Sequence, residues 1–262
     1  MNPQPDREPI IEFRNVTYRL PGAHSSPLLD SVSFQVYRGE TLVLLGRSGA
    51  GKTTALKLIN RLLEPSEGEV RVEEKATLAW DPIALRRRIG YVIQETGLFP
   101  HYTVEQNIAL VPRLEGWSDD GVRARVDDLL ALIGLSEDFL PRYPHELSGG
   151  QRQRVGVARA LAVDPPVLLM DEPFGALDPL TRGEVRREFQ SLQSALQKTI
   201  VIVTHDIAEA LLLGTRIALI DSGKLVGTYS PREFLESGNS VASAYLTQLR
   251  ELERSGEPHE PR

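Results

Sequence analysis

The sequence predicts an α/β fold with a mainly parallel sheet, an antiparallel β layer beside it and an inserted α-helical subdomain. Three observations carry this. The stretch GRSGAGKTT, beginning at Gly46, lies between an apolar run and a helical pattern, the strand, loop and helix context of a phosphate-binding loop. Short apolar runs that read as strands buried on both faces recur at residues 41–45, 167–170 and 199–203, with helical periods between them. From residue 104 to 163 the pattern changes to long, charged helical periods.

Residues 1–9 are polar and proline-rich and read as a loose leader. Residues 10–18 and 31–37 are β-rich and separated by LPGAHSSP, so they form the antiparallel layer, a place from which an aromatic ring can reach adenine. The run 41–45 feeds the loop, and 55–63 after it is helical. Residues 64–68 make a turn, 69–72 a short strand, 83–88 a basic helix and 89–93 a further strand with Gln94 at its end. The helical block is broken by two prolines in 140–146. The strand 167–170, a helix at 181–197 and the strand 199–203 follow it. The strands 217–221 and 224–229 flank Ser222 and Gly223, a hairpin signal. Beyond Pro231 a charged helical tail, 231–262, ends in the polar SGEPHEPR. The organisation expected is leader 1–9, catalytic domain 10–230 and tail.

Composition narrows the function. With 262 residues and 41% apolar content, the chain can bury a sizeable core. Thirty basic and 36 acidic residues leave a net charge of −6, so no overall attraction to nucleic acid or anionic lipid is expected. The absence of cysteine excludes disulfides and thiolate metal sites and fits a reducing compartment. No apolar run approaches the ~18 residues that span a bilayer, and MNPQPDREPI has no apolar core for a secretory signal. Membrane association is therefore expected to run through a partner.

The candidate chemistry begins in the loop. Gly46, Arg47, Ser48, Gly49, Ala50, Gly51, Lys52, Thr53 and Thr54 supply backbone N–H groups at a helix start, where the helix dipole favours an anion. Lys52 would reach the β- and γ-phosphates, and Thr53 would offer its hydroxyl to Mg²⁺. The run 167–170 delivers Asp171 and Glu172 to the carboxyl end of a strand, Asp171 for Mg²⁺ and Glu172 to polarise an attacking water. Two carboxylates at a strand end would otherwise be a solvated cap. TIVIVT ends at His205, which arrives at the same sheet edge and would touch the γ-phosphate and the water, although a lone histidine there is more often a cap. A second glycine-rich helix start, LSGGQRQRVGVARAL, presents Ser148, Gly149, Gly150 and Gln151. On spacing alone, an N-capped helix with solvated Arg152, Arg154 and Arg159 accounts for it better than a second phosphate site.

Taken together, the loop, Gln94, Ser148 to Gln151, Asp171 and Glu172, Ala176 to Asp178 and His205 resemble an ATP-binding-cassette ATPase over roughly residues 10–230. The resemblance implies a P-loop NTPase core, ATP and Mg²⁺ as cofactors, and a role for each motif. Asp171 would be the Walker B carboxylate, Glu172 the general base and His205 the switch histidine. Ser148 to Gln151 would close over the nucleotide of the other subunit in a head-to-tail ATP-sandwich homodimer, with Asp178 at that interface. Gln94 would link the Mg²⁺ site to a transmembrane permease.

A second layer lies in IGYVIQETGLFPHYTVEQNIALVPRLEGW and RYPHELSGGQRQRVGVARALAVDPPVLLMDEPFGALDP, which are similar to ATPase subunits of bacterial importers for glycine betaine, choline and carnitine. This implies a peripheral subunit on the cytoplasmic face of the membrane, permease partners, indirectly a solute-binding protein, and no nucleic acid. Two departures follow. Leu20 stands where such proteins usually carry the adenine-stacking aromatic, so adenine is expected to be held less tightly unless Tyr18, two residues earlier, or another aromatic substitutes. Many relatives also carry paired regulatory domains after the ATPase, and only about thirty residues follow the hairpin here, so gating through such domains is not expected. A lipid-trafficking or export ATPase, or a soluble cassette, is the alternative reading. Between Gln94 and Asn107, Gly97, Leu98, Phe99, Pro100 and His101 are expected either to form a socket for a membrane subunit's helix or to pack under the helical insertion.

Overall fold

The apolar run Thr41–Leu45 is a strand with every side chain buried, because side chains from alternate positions enter two different cores. The computed structural model describes residues 8–22, 26–94 and 97–255, so residues 1–7 of the expected leader and the polar end at 256–262 lie outside the described residues.

In chain order the strands are β1 (Pro9–Tyr18), β2 (Leu29–Tyr37), β3 (Thr41–Leu45), β4 (Glu67–Val72), β5 (Lys75–Ala76), β6 (Ile89–Val92), β7 (Val167–Asp171), β8 (Thr199–Thr204), β9 (Arg216–Asp221) and β10 (Lys224–Tyr229). The α-helices are α1 (Lys52–Ile59), α2 (Pro82–Arg87), α3 (Val104–Leu114), α4 (Asp119–Leu132), α5 (Gly149–Leu161), α6 (Pro179–Leu196), α7 (Ile207–Leu213), α8 (Pro231–Leu235) and α9 (Ser240–Ser255). Among the described residues they build two sheets. One is antiparallel, in the order β2-β1-β4-β5. The other runs β10-β9-β3-β8-β7-β6 and is parallel except for the β9–β10 pair.

The parallel strands read as unbroken apolar runs because both faces of their sheet are covered. Val43, Leu168, Met170, Ile200 and Ile202 enter the core beneath the helices. Leu42, Leu44, Leu169, Val201 and Val203 face the core shared with the antiparallel layer and α1. Each such aliphatic side chain contributes roughly 1.5–3 kcal/mol by burial. Three parallel pairings bring the carboxyl ends of β3, β6, β7 and β8 to one edge, and that edge holds the site.

Local signals explain the boundaries, and several differ from the sequence reading. The first helix starts at Lys52, not residue 55, because Gly51 takes φ 101° as its N-cap, and it stops at Ile59. The turn expected at 64–68 gives way to strand at Glu67, which pairs with Thr17. Ser222 (φ 49°) and Gly223 (φ 78°) make the two-residue turn that the β9–β10 hairpin requires. The block at 104–163 resolves into α3, α4 and α5 with short 3₁₀ turns at Glu137–Phe139 and Pro144–Glu146. The short helix α7 carries no marked period in the sequence; Asp206 caps it through Ala208 and Glu209, and Arg186 of α6 pairs with Glu209. The tail is two helices, α8 and α9, whose Phe234, Ala242, Tyr245 and Leu246 join the core.

Candidate functional site

The glycine-rich loop closes on itself. Lys52, only 4% exposed, donates from Nζ to the carbonyls of Gly46 (2.8 Å) and Arg47 (2.9 Å). Burial lowers its pKa, opposed by the nearby Glu172 and Asp171 carboxylates. Two glycines are required by close approach. A Cβ at Gly46 would lie 2.3 Å from the Ile220 carbonyl oxygen, and one at Gly51 would lie 2.5 Å from that of Leu28. A cavity of about 210 Å³ opens beside the loop, lined by Leu28, Ser48, Gly49, Gly51, Lys52 and Thr53, with Thr54 and Glu172 completing its wall.

Across the sheet, Thr53 Oγ1 donates to Asp171 Oδ1 at 2.8 Å. Burial raises the Asp171 pKa, and the Thr53 hydrogen bond opposes the rise. Tyr91 approaches Asp171 Oδ2 at 3.5 Å, and its phenol is pushed upward by burial and by that carboxylate. The sequence carries no signal for Tyr91, since nothing in an apolar strand marks one tyrosine until β6 is known to pair with β7.

Glu172 follows with a left-handed backbone, φ 43°, a conformation costly for a non-glycine residue and common where a site fixes its side chains. Its Oε1 lies 3.3 Å from His205 Nδ1, and its Oε2 lies 3.5 Å from Gln94 Nε2. Three side chains from three strand ends, Gln94, Glu172 and His205, thus meet beside the loop. His205 is held by its neighbourhood: Asp206 N donates to Thr204 Oγ1, and Arg186 Nη2 reaches both Asp206 and Glu209.

The second glycine-rich helix start does not join this cluster. Ser148 Oγ accepts from Gln151 N (3.2 Å) and Gln151 Oε1 accepts from Ser148 N (2.8 Å), a reciprocal cap on α5. The expected cap is present, but its arginines are not simply solvated. Arg152 donates to Leu147 O, Arg154 pairs with Glu188, and Arg159 donates to Gly97 O, with burial lowering its pKa. Asp178 caps α6 through Thr181 N. Neither Ser148 to Gln151 nor Asp178 lines the cavity beside Lys52. Arg182, unmarked by any motif, donates to Gly175 O and Leu177 O and so pins the segment between Glu172 and Asp178.

The structure bears on two further expectations. Tyr18 is 6% exposed and packed in the core with the β1 and β2 side chains, so it is not available as the substitute stacking ring. Leu20 is exposed. In the 97–101 segment, Leu98 packs against the core while Phe99 is 40% exposed. The buried Asn107 knots that segment, accepting from Phe99 N and donating to the carbonyls of Phe99, Tyr102 and Thr103.

The donor set suits a nucleotide and a divalent cation. A buried ammonium and a glycine-rich backbone meet an anion's needs. The Thr53 hydroxyl and Asp171 carboxylate are hard oxygen ligands of the kind Mg²⁺ takes alongside substrate phosphates.

A family model described as ABC transporter matches residues 29–175. The Glycine betaine/carnitine/choline transport ATP-binding protein OpuCA of Bacillus subtilis is 50% identical over 209 residues, covering 80% of this chain and 55% of that protein. The Osmoprotectant import ATP-binding protein OsmV of Salmonella typhimurium is 47% identical over 249 residues, covering 94% of this chain and 65% of that protein. The chain thus spans between half and two thirds of the length of these relatives. Among solved structures, the dimeric ATP-binding cassette MJ0796 in a post-hydrolysis state bound to ADP and Pi superposes with a TM-score of 0.75 at 35% identity, over 85% of this chain and 99% of that one.

Proposed function

This chain belongs to the ABC transporter family, and on that premise we propose that it is the ATP-hydrolysing subunit of a bacterial importer for quaternary amines or related osmoprotectants. The observation that carries the reading is the meeting of Lys52, Thr53, Asp171, Glu172, His205 and Gln94 at one sheet edge.

In this reading the backbone N–H groups of residues 46–54 bind the phosphates of ATP, and the Lys52 ammonium exchanges its two loop carbonyls for them. Thr53 and Asp171 would hold Mg²⁺, with Gln94 beside them, and the ion would supply charge neutralisation at the transferred phosphoryl group. Glu172 orients the attacking water and takes its proton, while His205, 3.3 Å from Glu172, keeps that carboxylate aimed and donates toward the phosphate. Ser148 to Gln151 and Asp178, which lie outside the cavity at Lys52, act on the nucleotide of a second copy arranged head to tail. The MJ0796 cassette is itself described as dimeric.

Among the described residues, no helix is long and apolar enough to cross a membrane. Coupling to transport therefore falls to permease subunits, docked at the cytoplasmic membrane face through the segment around Phe99, with a solute-binding protein delivering cargo to them. The names of the OpuCA and OsmV relatives support the substrate class.

Glu172→Gln tests the catalytic assignment. It keeps the side chain's shape and removes the base, so ATP binds, hydrolysis stops and a dimer accumulates in Mg-ATP on size exclusion. Normal turnover in this variant, or a monomer at saturating nucleotide, overturns the reading. Uptake by the reconstituted importer of glycine betaine, choline or carnitine, against sulfate as control, tests the substrate class.

A further inference from the structure

Thr204 and Asp206, the residues on either side of His205, are tied into one ring of hydrogen bonds. Thr204 is buried; its Oγ1 accepts from Asp206 N at 3.0 Å, and its hydroxyl donates to the Glu209 carboxylate. Arg186 of α6 closes the ring. Its Nη2 donates to Asp206 Oδ2 (2.5 Å) and to Glu209 Oε1 (2.6 Å), and its Nε donates to the same Glu209 oxygen (3.1 Å). Asp206 Oδ1 meanwhile caps α7 through Ala208 N and Glu209 N. The His205 side chain is itself 54% exposed, so its place is set by the backbone that the ring holds rather than by close packing.

The same helix carries Asp178 at its N-cap. One turn before Arg186, Arg182 donates to Gly175 O and Leu177 O, and towards the far end Gln190 and Gln193 donate to Leu212 O and Leu213 O. The side of α6 that meets the start and end of α7 is therefore polar, while Val185 and Phe189 enter the core. Such a seam fixes register through the direction of its bonds. A guanidinium buried with carboxylates is weak evidence for stability, and its best-attested use is to set register. Glu209 is buried, and burial pushes its carboxyl upward against the opposing pull of Thr204 and Arg186.

We infer that Arg186 is a positioning residue for hydrolysis: its fork holds His205 and the segment ending at Asp178 in one frame. The group that meets the γ-phosphate in one copy and the group offered to the second copy then move together. The consequence for hydrolysis rests on the ATPase reading above; the anchoring of His205 does not.

Arg186→Met combined with Glu209→Met removes one charge of each sign and leaves apolar groups in their place, an exchange that is often neutral for stability. Asp206 keeps its cap and stays partly exposed. This double variant should melt within a few degrees of wild type and bind ATP within twofold, while kcat falls at least tenfold. Arg186→Lys keeps the charge and loses the fork, so kcat should fall at least threefold; if the double variant melts early, Arg186→Lys decides. In nucleotide-free protein, the imidazole nitrogen resonances of His205 should move in both variants while those of His101 and His145 stay. Placed in a Glu172→Gln background, the double variant should weaken the Mg-ATP dimer at least threefold on size exclusion. Unmoved His205 resonances overturn the anchoring. Moved resonances with wild-type kcat, or a loss of kcat matched by an equal loss of ATP affinity, overturn the role in hydrolysis. A dimer of unchanged strength overturns the link to Asp178. A wild-type chain with no ATPase activity overturns the functional reading of the preceding section, and the His205 resonances then still judge the anchoring.

Discussion

Thr53 and Asp171, 118 residues apart in sequence, are joined by a 2.8 Å hydrogen bond that ties the first residues of α1 to the end of β7. The hydroxyl's hydrogen bond offsets the rise that burial imposes on Asp171. Thr53→Val keeps the shape and removes the donor. A hydrogen bond to a charged group is worth about 1.5–3 kcal/mol, so Mg²⁺-dependent hydrolysis should fall by about ten- to a hundredfold. A double-mutant cycle with Asp171→Asn should show strong non-additivity in the ATPase rate; additive losses would mean the two residues act separately.

Leu20 has no π face, and Tyr18 is locked in the core. Leu28, at the other end of the same connection, lines the cavity at the phosphate loop. Leu20→Tyr should therefore tighten nucleotide binding by up to about 1 kcal/mol, read by calorimetric titration. Unchanged affinity would show that another group already covers the adenine ring.

Phe99 presents its ring outward, 5.9 Å from the Arg159 guanidinium, while Asn107 holds its backbone. Phe99→Ala should leave basal hydrolysis and melting temperature near wild type and reduce capture of the permease in a pull-down. Asn107→Ala, which strips a buried knot of four hydrogen bonds, should lower the melting temperature instead. Equal loss of hydrolysis and stability in Phe99→Ala would assign that ring to the core.

Glu73, at the β4–β5 turn, accepts two hydrogen bonds from Arg88, at 2.6 and 2.9 Å. That pairing holds its pKa below the ordinary 4.5. A carboxylate with a depressed folded pKa stabilises above its unfolded value and loses that stability as pH falls through the folded one. The melting-temperature gap between wild type and Glu73→Gln should be a few degrees at most for so exposed a pair. It should stay constant from about pH 8 to 5 and close below about 4.5. A gap that persists in acid would assign the effect to packing.

The sequence by itself determined the context of the phosphate loop and the framework of the parallel sheet. GRSGAGKTT had the right neighbours, and the strands before Asp171 and His205 were legible because a sheet covered on both faces demands unbroken apolar runs. The Ser222-Gly223 hairpin was legible because few residues accept positive φ in succession. What the tertiary structure alone decided depends on partners distant in sequence. Tyr91 and Arg182 join the site only through strand pairing and loop closure, and Tyr18 is removed from it by burial in the core shared by β1 and β2. The α5 arginines are engaged rather than solvated because carbonyls of other segments lie within reach. The helix α7 was missed because seven residues leave little periodicity, and its stability comes from the Asp206 cap and the Arg186 ion pairs. Spacing along the chain records which residues share a face of one element; which elements then face each other is fixed by packing, and packing placed both the Glu172 cluster and the carboxylates that hold Arg186.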